Sequence, residues 1–179
     1  MATVLPYVAL LQYRAKGLSV KLRGEQARAL SSICRRAGVP FFVNDDPELA
    51  TAVGADGVHV GAADAAVASA LSRMRGGLVG ASCYADLQLA EAAVAAGAAY
   101  VAFGAFFPST TKPEAMRAEP GLLRRATHLG VPRVAIGGIT PENAASLVAA
   151  GADLVAVISG VFDAQDPVAA ARAYRACFY

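Results

Sequence analysis

The sequence predicts an α/β fold in which parallel strands alternate with helices and curve toward a barrel, and three observations carry that reading. First, one phrase recurs: GADGVHVG from Gly54, GAAYVAFG from Gly97 and GADLVAVI from Gly151. In each, an Ala-rich helical stretch meets a glycine suited to a left-handed C-cap, then a short Val-rich run that can be buried on both faces. Second, further apolar runs of the same kind stand at VALLQYR from Val8, PFFVN from Pro40, LVGAS from Leu78 and RVAIGG from Arg133. That makes about seven strands, each followed by a helical segment. Third, a pair of strand-helix units separates successive copies of the phrase, the spacing of a barrel assembled from quarter-barrel units. Counting back from Gly54 starts the first quarter at Val8, while the last, from Leu154, holds only one pair. The chain therefore reads as a TIM (β/α)8 barrel lacking its first β/α unit. We expect one domain over residues 1–179. We also expect the missing unit to lie upstream, or a second subunit of a homo-oligomer to cover the open strand edges.

Composition narrows the function. Hydrophobic residues make up 56% of the 179 and charged ones 17%, yet no apolar run approaches the roughly 18 residues that a membrane span needs. The net charge of +2 is too small for a nucleic-acid surface, so any cations that matter must be placed locally. Cys34, Cys83 and Cys177 are an odd, widely spaced set and read as free thiols of a reducing cytoplasm. The start, MATVLPYVALL, lacks a basic region and a persuasive cleavage site, so it does not read as a signal peptide. A cytoplasmic protein without a membrane or nucleic-acid partner is the expectation.

In parallel α/β folds ligands gather at the carboxyl ends of the strands, so each run's last residues and the loop after it are the candidates. The first run ends in Gln12, Arg14 and Lys16, which strand alternation sends to one side. The second ends in Asn44 and Asp45 and the third in Asp64. Either aspartate alone reads as a helix cap. Two at successive strand ends beside an Arg/Lys cluster favour Mg²⁺ shared with phosphate oxygens. The fourth ends at Ser82, a donor to the same ligand or a helix start. After the fifth comes a long polar loop with Thr110, Thr111 and Lys112, of a kind that usually closes over a ligand. The sixth ends in Gly137 and Gly138, then Thr140 and Pro141 as N-cap and first helical position; the seventh ends in Ile158, Ser159 and Gly160. Paired glycines and helix starts at these neighbouring ends suit a phosphate. His59, inside GVHVG, reads as a histidine satisfied within the core, and His128 as an exposed one; neither anchors a mechanism.

Taken together, QYRAK, ND, GADGVHVGAAD, YVAFGAFFPSTTK, VAIGGIT and ISGVF resemble, in order and over nearly the whole chain, the thiamine phosphate synthase family. The resemblance implies a TIM barrel that joins a hydroxymethylpyrimidine diphosphate to a thiazole phosphate with Mg²⁺, releasing pyrophosphate. It implies Gln12, Arg14, Lys16, Asn44 and Ser82 on the pyrimidine diphosphate, with Asp45 and Asp64 on Mg²⁺. Thr110 and Thr111 would meet the thiazole, Lys112 the pyrophosphate, and Gly138, Ile158 and Ser159 the thiazole phosphate. Arg14, Lys16, Ser82 and Lys112 would be the catalytic group. The sequence departs from the pattern at Ala62, where the family usually has Gln. The alternatives are a non-catalytic phosphate-binding relative and the related thiazole tautomerase, which would want a histidine near the Ser82 segment. GASCYAD offers none.

Overall fold

The computed structural model describes residues 2–61, 64–108 and 117–179, without the side chains of Asp64 and Ala65. Seven strands lie among them: β1 Leu11–Tyr13, β2 Phe41–Asn44, β3 Gly57–Gly61, β4 Leu78–Tyr84, β5 Tyr100–Gly104, β6 Arg133–Ile136 and β7 Leu154–Ala156. They form one sheet in the order β1-β2-β3-β4-β5-β6-β7, each pair parallel. A doubly wound sheet reverses its strand order at a switch point. This sheet never reverses, which is the connectivity of a barrel wall, and β1 and β7 are its edges among the described residues.

The helices are α1 Val20–Ala37, α2 Pro47–Ala52, α3 Asp64–Met74, α4 Leu87–Ala95, α5 Gly121–Arg125, α6 Pro141–Ala149, α7 Ser159–Phe162 and α8 Pro167–Ala176. Caps fix where several begin. Ser19 accepts from Leu22 N at the start of α1, Asp86 from Leu89 N at the start of α4, and Asp166 from Ala169 N at the start of α8. The repeated phrase has the expected physical basis: Gly54, Gly97 and Gly151 have φ of 62°, 102° and 104°. A side chain rarely adopts that conformation, so glycine turns each helix into the next strand.

Strand alternation sorts the core into two layers. Phe41, Val43, Val58, Val79, Val101 and Phe103 are buried in the main cluster, against helix residues such as Ala27, Ala90 and Leu147. Burying each such Phe or Val stabilises the fold by about 1.5–3 kcal/mol relative to exposure. Phe42, Ala102 and Val134 are buried but stand apart from that cluster, as expected of residues that line the inside of the curved sheet. The ring of helices is tied where the sheet has its edges. Arg172 on α8 donates to Tyr7 Oη at 2.7 Å, and Arg175 donates to the Pro6 carbonyl at 2.9 Å.

The first strand is shorter than its apolar run. Pairing with β2 ends at Tyr13↔Val43, so Arg14 and Lys16 leave the sheet before alternation can align them with Gln12. Gly17, with φ 83°, then turns the chain toward the Ser19 cap.

Candidate active site

The carboxyl ends of β1 and β2 and the start of α1 enclose a cleft of about 230 Å³ lined by Arg14, Lys16, Arg23, Asn44 and Asp45. Loop conformation thus brings together what strand alternation alone does not. Gln12 Nε2 donates to Asn44 Oδ1 at 2.7 Å, which occupies the Asn44 acceptor and leaves its amide hydrogens for a ligand. Arg23 was not singled out in the sequence, where it is one charge among several on an amphipathic helix. In the fold its Nη2 pairs with Asp46 at 3.1 Å, and its Nε is buried without a partner among the described residues. The cleft therefore has three cations around it, a setting for a polyanion.

The two adjacent aspartates divide their work. Asp46 is the cap of α2: one carboxylate oxygen accepts from Leu49 N at 2.9 Å and the other takes Arg23. Asp45 makes no side-chain hydrogen bond among the described residues and lines the cleft, its backbone in the left-handed region at φ 61°. Aspartate tolerates that conformation better than most residues. Its backbone N–H is held by the His59 carbonyl at 2.8 Å. An exposed, uncommitted carboxylate beside cations is a hard oxygen donor of the kind Mg²⁺ takes together with phosphate oxygens. Asp64 opens α3 directly after β3 and the two residues that follow it.

Ser82, on β4, has a partner that its own segment does not reveal. The register sets His59 beside Gly80 and Gly61 beside Ser82, and His59 Nε2 lies 2.7 Å from Ser82 Oγ. His59 Nδ1 lies 2.8 Å from Tyr100 Oη, with the two rings stacked at 5.5 Å. Gly80 makes this possible, because a Cβ there would run into the Tyr100 ring. Burial lowers the His59 pKa to about 4, against a smaller upward pull from Asp45. It also raises that of Tyr100. His59 is therefore a core histidine, as the sequence suggests, but one bonded to a candidate substrate ligand. With both ring nitrogens engaged and only 7% of its surface exposed, it is ill suited to the proton shuttling that a tautomerase needs.

At the opposite side of the same face stand the ends of β6 and β7. Thr140 caps α6 with Pro141 as the first helical residue, and its N–H is held by Asn143 Oδ1 at 2.9 Å. Ser159 opens α7, and Ile158 before it is 64% exposed. The first N–H groups of a helix have no acceptor within it, which leaves them for an anion. Gly137 and Gly138, at φ 100° and 62°, have a second reason to be glycine: a Cβ would strike Ala105 or the Phe107–Pro108 backbone. They admit the chain leaving β5. Ala62, Thr110, Thr111 and Lys112 lie outside the described residues.

The ends of β1 to β4 thus gather Gln12, Arg14, Lys16, Asn44, Asp45 and Ser82, while Gly138, Ile158 and Ser159 follow β6 and β7. The profile of the thiamine monophosphate synthase family matches residues 2–161. The chain belongs to that family. Its similarity to curated members is high: it is 55% identical over 176 residues to the thiamine-phosphate synthase of Xanthomonas campestris pv. campestris, covering 98% of this chain and 85% of that protein. To the thiamine-phosphate synthase of Xylella fastidiosa it is 50% identical over 178 residues, covering 99% and 76%. Among solved structures, the thiamine phosphate pyrophosphorylase from Pyrococcus furiosus superposes with a TM-score of 0.88 at 32% identity, covering 99% of this chain and 86% of that one. A 3-hexulose-6-phosphate synthase superposes at 0.75 with 20% identity, which is a likeness of fold alone.

Membership agrees with the fold class and family that the sequence suggests. No helix among the described residues is long and apolar enough to cross a membrane. The described cysteines are free, Cys34 and Cys83 buried and Cys177 half-buried.

Proposed function

We propose that this chain is a cytoplasmic thiamine phosphate synthase, joining 4-amino-5-hydroxymethyl-2-methylpyrimidine diphosphate to 4-methyl-5-(2-phosphoethyl)thiazole with release of pyrophosphate. The observation that carries the reading is the cleft at the ends of β1 and β2. There Arg14, Lys16 and Arg23 line the same cleft as Asp45, whose carboxylate has no side-chain hydrogen bond among the described residues. That combination suits a diphosphate taken together with its metal.

The chemistry asked of the chain is separation of charge. The C–O bond between the pyrimidine methylene and the diphosphate breaks, its electron pair leaving with pyrophosphate. The thiazole nitrogen then donates its lone pair to the methylene carbon. Arg14, Lys16 and Arg23 favour the departing charge in a site where preorganised cations are worth more than in water. Asn44, its amide fixed by Gln12, and Ser82 orient the pyrimidine so that the reacting carbon faces the second substrate. Gly138, Ile158 and Ser159 offer backbone N–H groups to the thiazole phosphate, at a strand end distinct from the first cleft. Thr110 and Thr111 meet the thiazole and Lys112 the pyrophosphate. Asp45 and Asp64 would hold Mg²⁺, which when bound would supply neutralisation of diphosphate charge.

The adjacent aspartates provide the test. Asp45→Asn is expected to weaken Mg²⁺-dependent pyrophosphate binding at least tenfold by calorimetry while leaving the melting temperature near wild type. Asp46→Ala is expected to leave Mg²⁺ dependence in place and to lose about 1 kcal/mol of stability with the α2 cap. Unchanged Mg²⁺ dependence in Asp45→Asn refutes the metal assignment.

A further inference from the structure

Ser82 is a half-buried hydroxyl at the end of β4, and a hydroxyl can donate or accept. Which of these it presents to a ligand is settled by what lies behind it. His59 Nε2 stands 2.7 Å from its oxygen, and His59 Nδ1 stands 2.8 Å from Tyr100 Oη. A neutral imidazole carries one proton, so one of its nitrogens donates and the other accepts. The phenol decides between them. Tyr100 lies over Gly80, with the Phe42 ring 5.8 Å away, and His59 is the only acceptor its O–H has among the described residues. If Nδ1 carried the proton, the phenol hydrogen would have no protein acceptor among the described residues. With Tyr100 donating to Nδ1, the imidazole proton sits on Nε2 and is donated to Ser82 Oγ. The Ser82 oxygen is then occupied from behind, and its own hydrogen is left for a ligand at the carboxyl end of the sheet.

We propose that Tyr100 and His59 are positioning residues that fix Ser82 as a hydrogen-bond donor toward the substrate. The ligand atom it meets is an acceptor lone pair, a ring nitrogen or phosphate oxygen, and not the hydrogens of an exocyclic amine. The identity of that ligand as the pyrimidine diphosphate rests on the function proposed above; the direction of the relay does not.

The chain has only two histidines, so long-range proton–nitrogen NMR on the free, nitrogen-15-labelled protein reads the His59 tautomer directly, with His59→Gln identifying its signals. The Nε2–H form is expected, and the Nδ1–H form overturns the proposal. In steady-state kinetics Tyr100→Phe is expected to raise KM for the pyrimidine diphosphate about tenfold, the scale of one neutral hydrogen bond, and to leave KM for the thiazole phosphate unmoved. His59→Gln, whose amide N–H reaches the Nε2 position, is expected to stay within about threefold of wild type, whereas His59→Asn falls with Ser82→Ala by about tenfold. Tyr100→Phe or His59→Asn behaving as wild type overturns the relay. The NMR experiment needs no turnover, so an inactive wild-type protein with the Nε2–H tautomer would sink the proposed reaction and leave the relay standing.

Discussion

Replacing Gly80 by alanine adds one methyl group, and the structure says where it goes. A Cβ at Gly80 falls on Cζ, Cε1 and Oη of Tyr100, well inside the 3.4 Å at which ordinary contact begins. The ring has to withdraw by more than about 1 Å, because repulsion rises steeply at such separations. It cannot do so and keep its 2.8 Å hydrogen bond to His59. Two terms therefore add. Overpacking a tight interior costs about 1–3 kcal/mol, and leaving a buried hydrogen-bonding group unsatisfied costs about 1–3 kcal/mol more. Gly80→Ala is expected to destabilise the protein by about 2–6 kcal/mol, a large part of a typical domain's total. Equilibrium urea unfolding followed by far-UV circular dichroism measures it. Gly24→Ala is the control, since nothing lies within 4 Å of a Cβ at that position of α1, and it is expected to stabilise by about 0.4–1 kcal/mol. A Gly80→Ala protein within about 0.5 kcal/mol of wild type, the range of a surface substitution, would refute the packing described between Gly80, Tyr100 and His59.

Acid should act through the same histidine. Its pKa falls from 6.5 to about 4 on folding, so between those values the unfolded chain binds a proton that the folded one refuses. The stability from its neutral burial is complete above pH 6.5, is lost as pH falls toward 4, and levels off below. The loss amounts to about 3 kcal/mol. Urea titrations at several pH values check it, and His59→Gln should flatten the slope in that window. Lys112→Ala is expected to lower kcat by about 100-fold, a typical loss for a group acting on developing charge. Binding of the thiazole phosphate should change little. Unchanged kcat with weakened thiazole affinity would move Lys112 to the other phosphate.

Much of the fold is legible in the sequence because its signals are local. Each Val-rich run needs only its own composition to read as a buried parallel strand, and each repeat glycine only its own backbone conformation to end a helix. The Thr140 cap, with Pro141 after it, is local as well. The strand ends are legible for the same reason, which is why Asn44, Asp45, Ser82, Ile158 and Ser159 stand out. What the sequence does not show is set by tertiary contacts. Arg23 joins the cleft because α1 packs beside the end of β2, and no local feature separates it from the other charges of that helix. The Ser82–His59 bond depends on the register of β3 against β4. A histidine sought within GASCYAD is missing there, yet His59 stands beside it from the preceding strand. Gly137 and Gly138 read as room for an anion, whereas in the fold they also make room for the neighbouring chain. The division between Asp45 and Asp46 depends on which carboxylate reaches Leu49 N and Arg23, and adjacent identical residues carry no such distinction.

The most direct measurement is product formation by the purified protein. Both substrates are mixed with it, with and without Mg²⁺, and thiamine phosphate is followed by fluorescence after oxidation to thiochrome, with released pyrophosphate measured in parallel. The account predicts one pyrophosphate for each thiamine phosphate, formed only when both substrates and Mg²⁺ are present. A folded protein that binds both substrates and releases neither product would contradict it, and would leave a phosphate-binding protein without the synthase reaction.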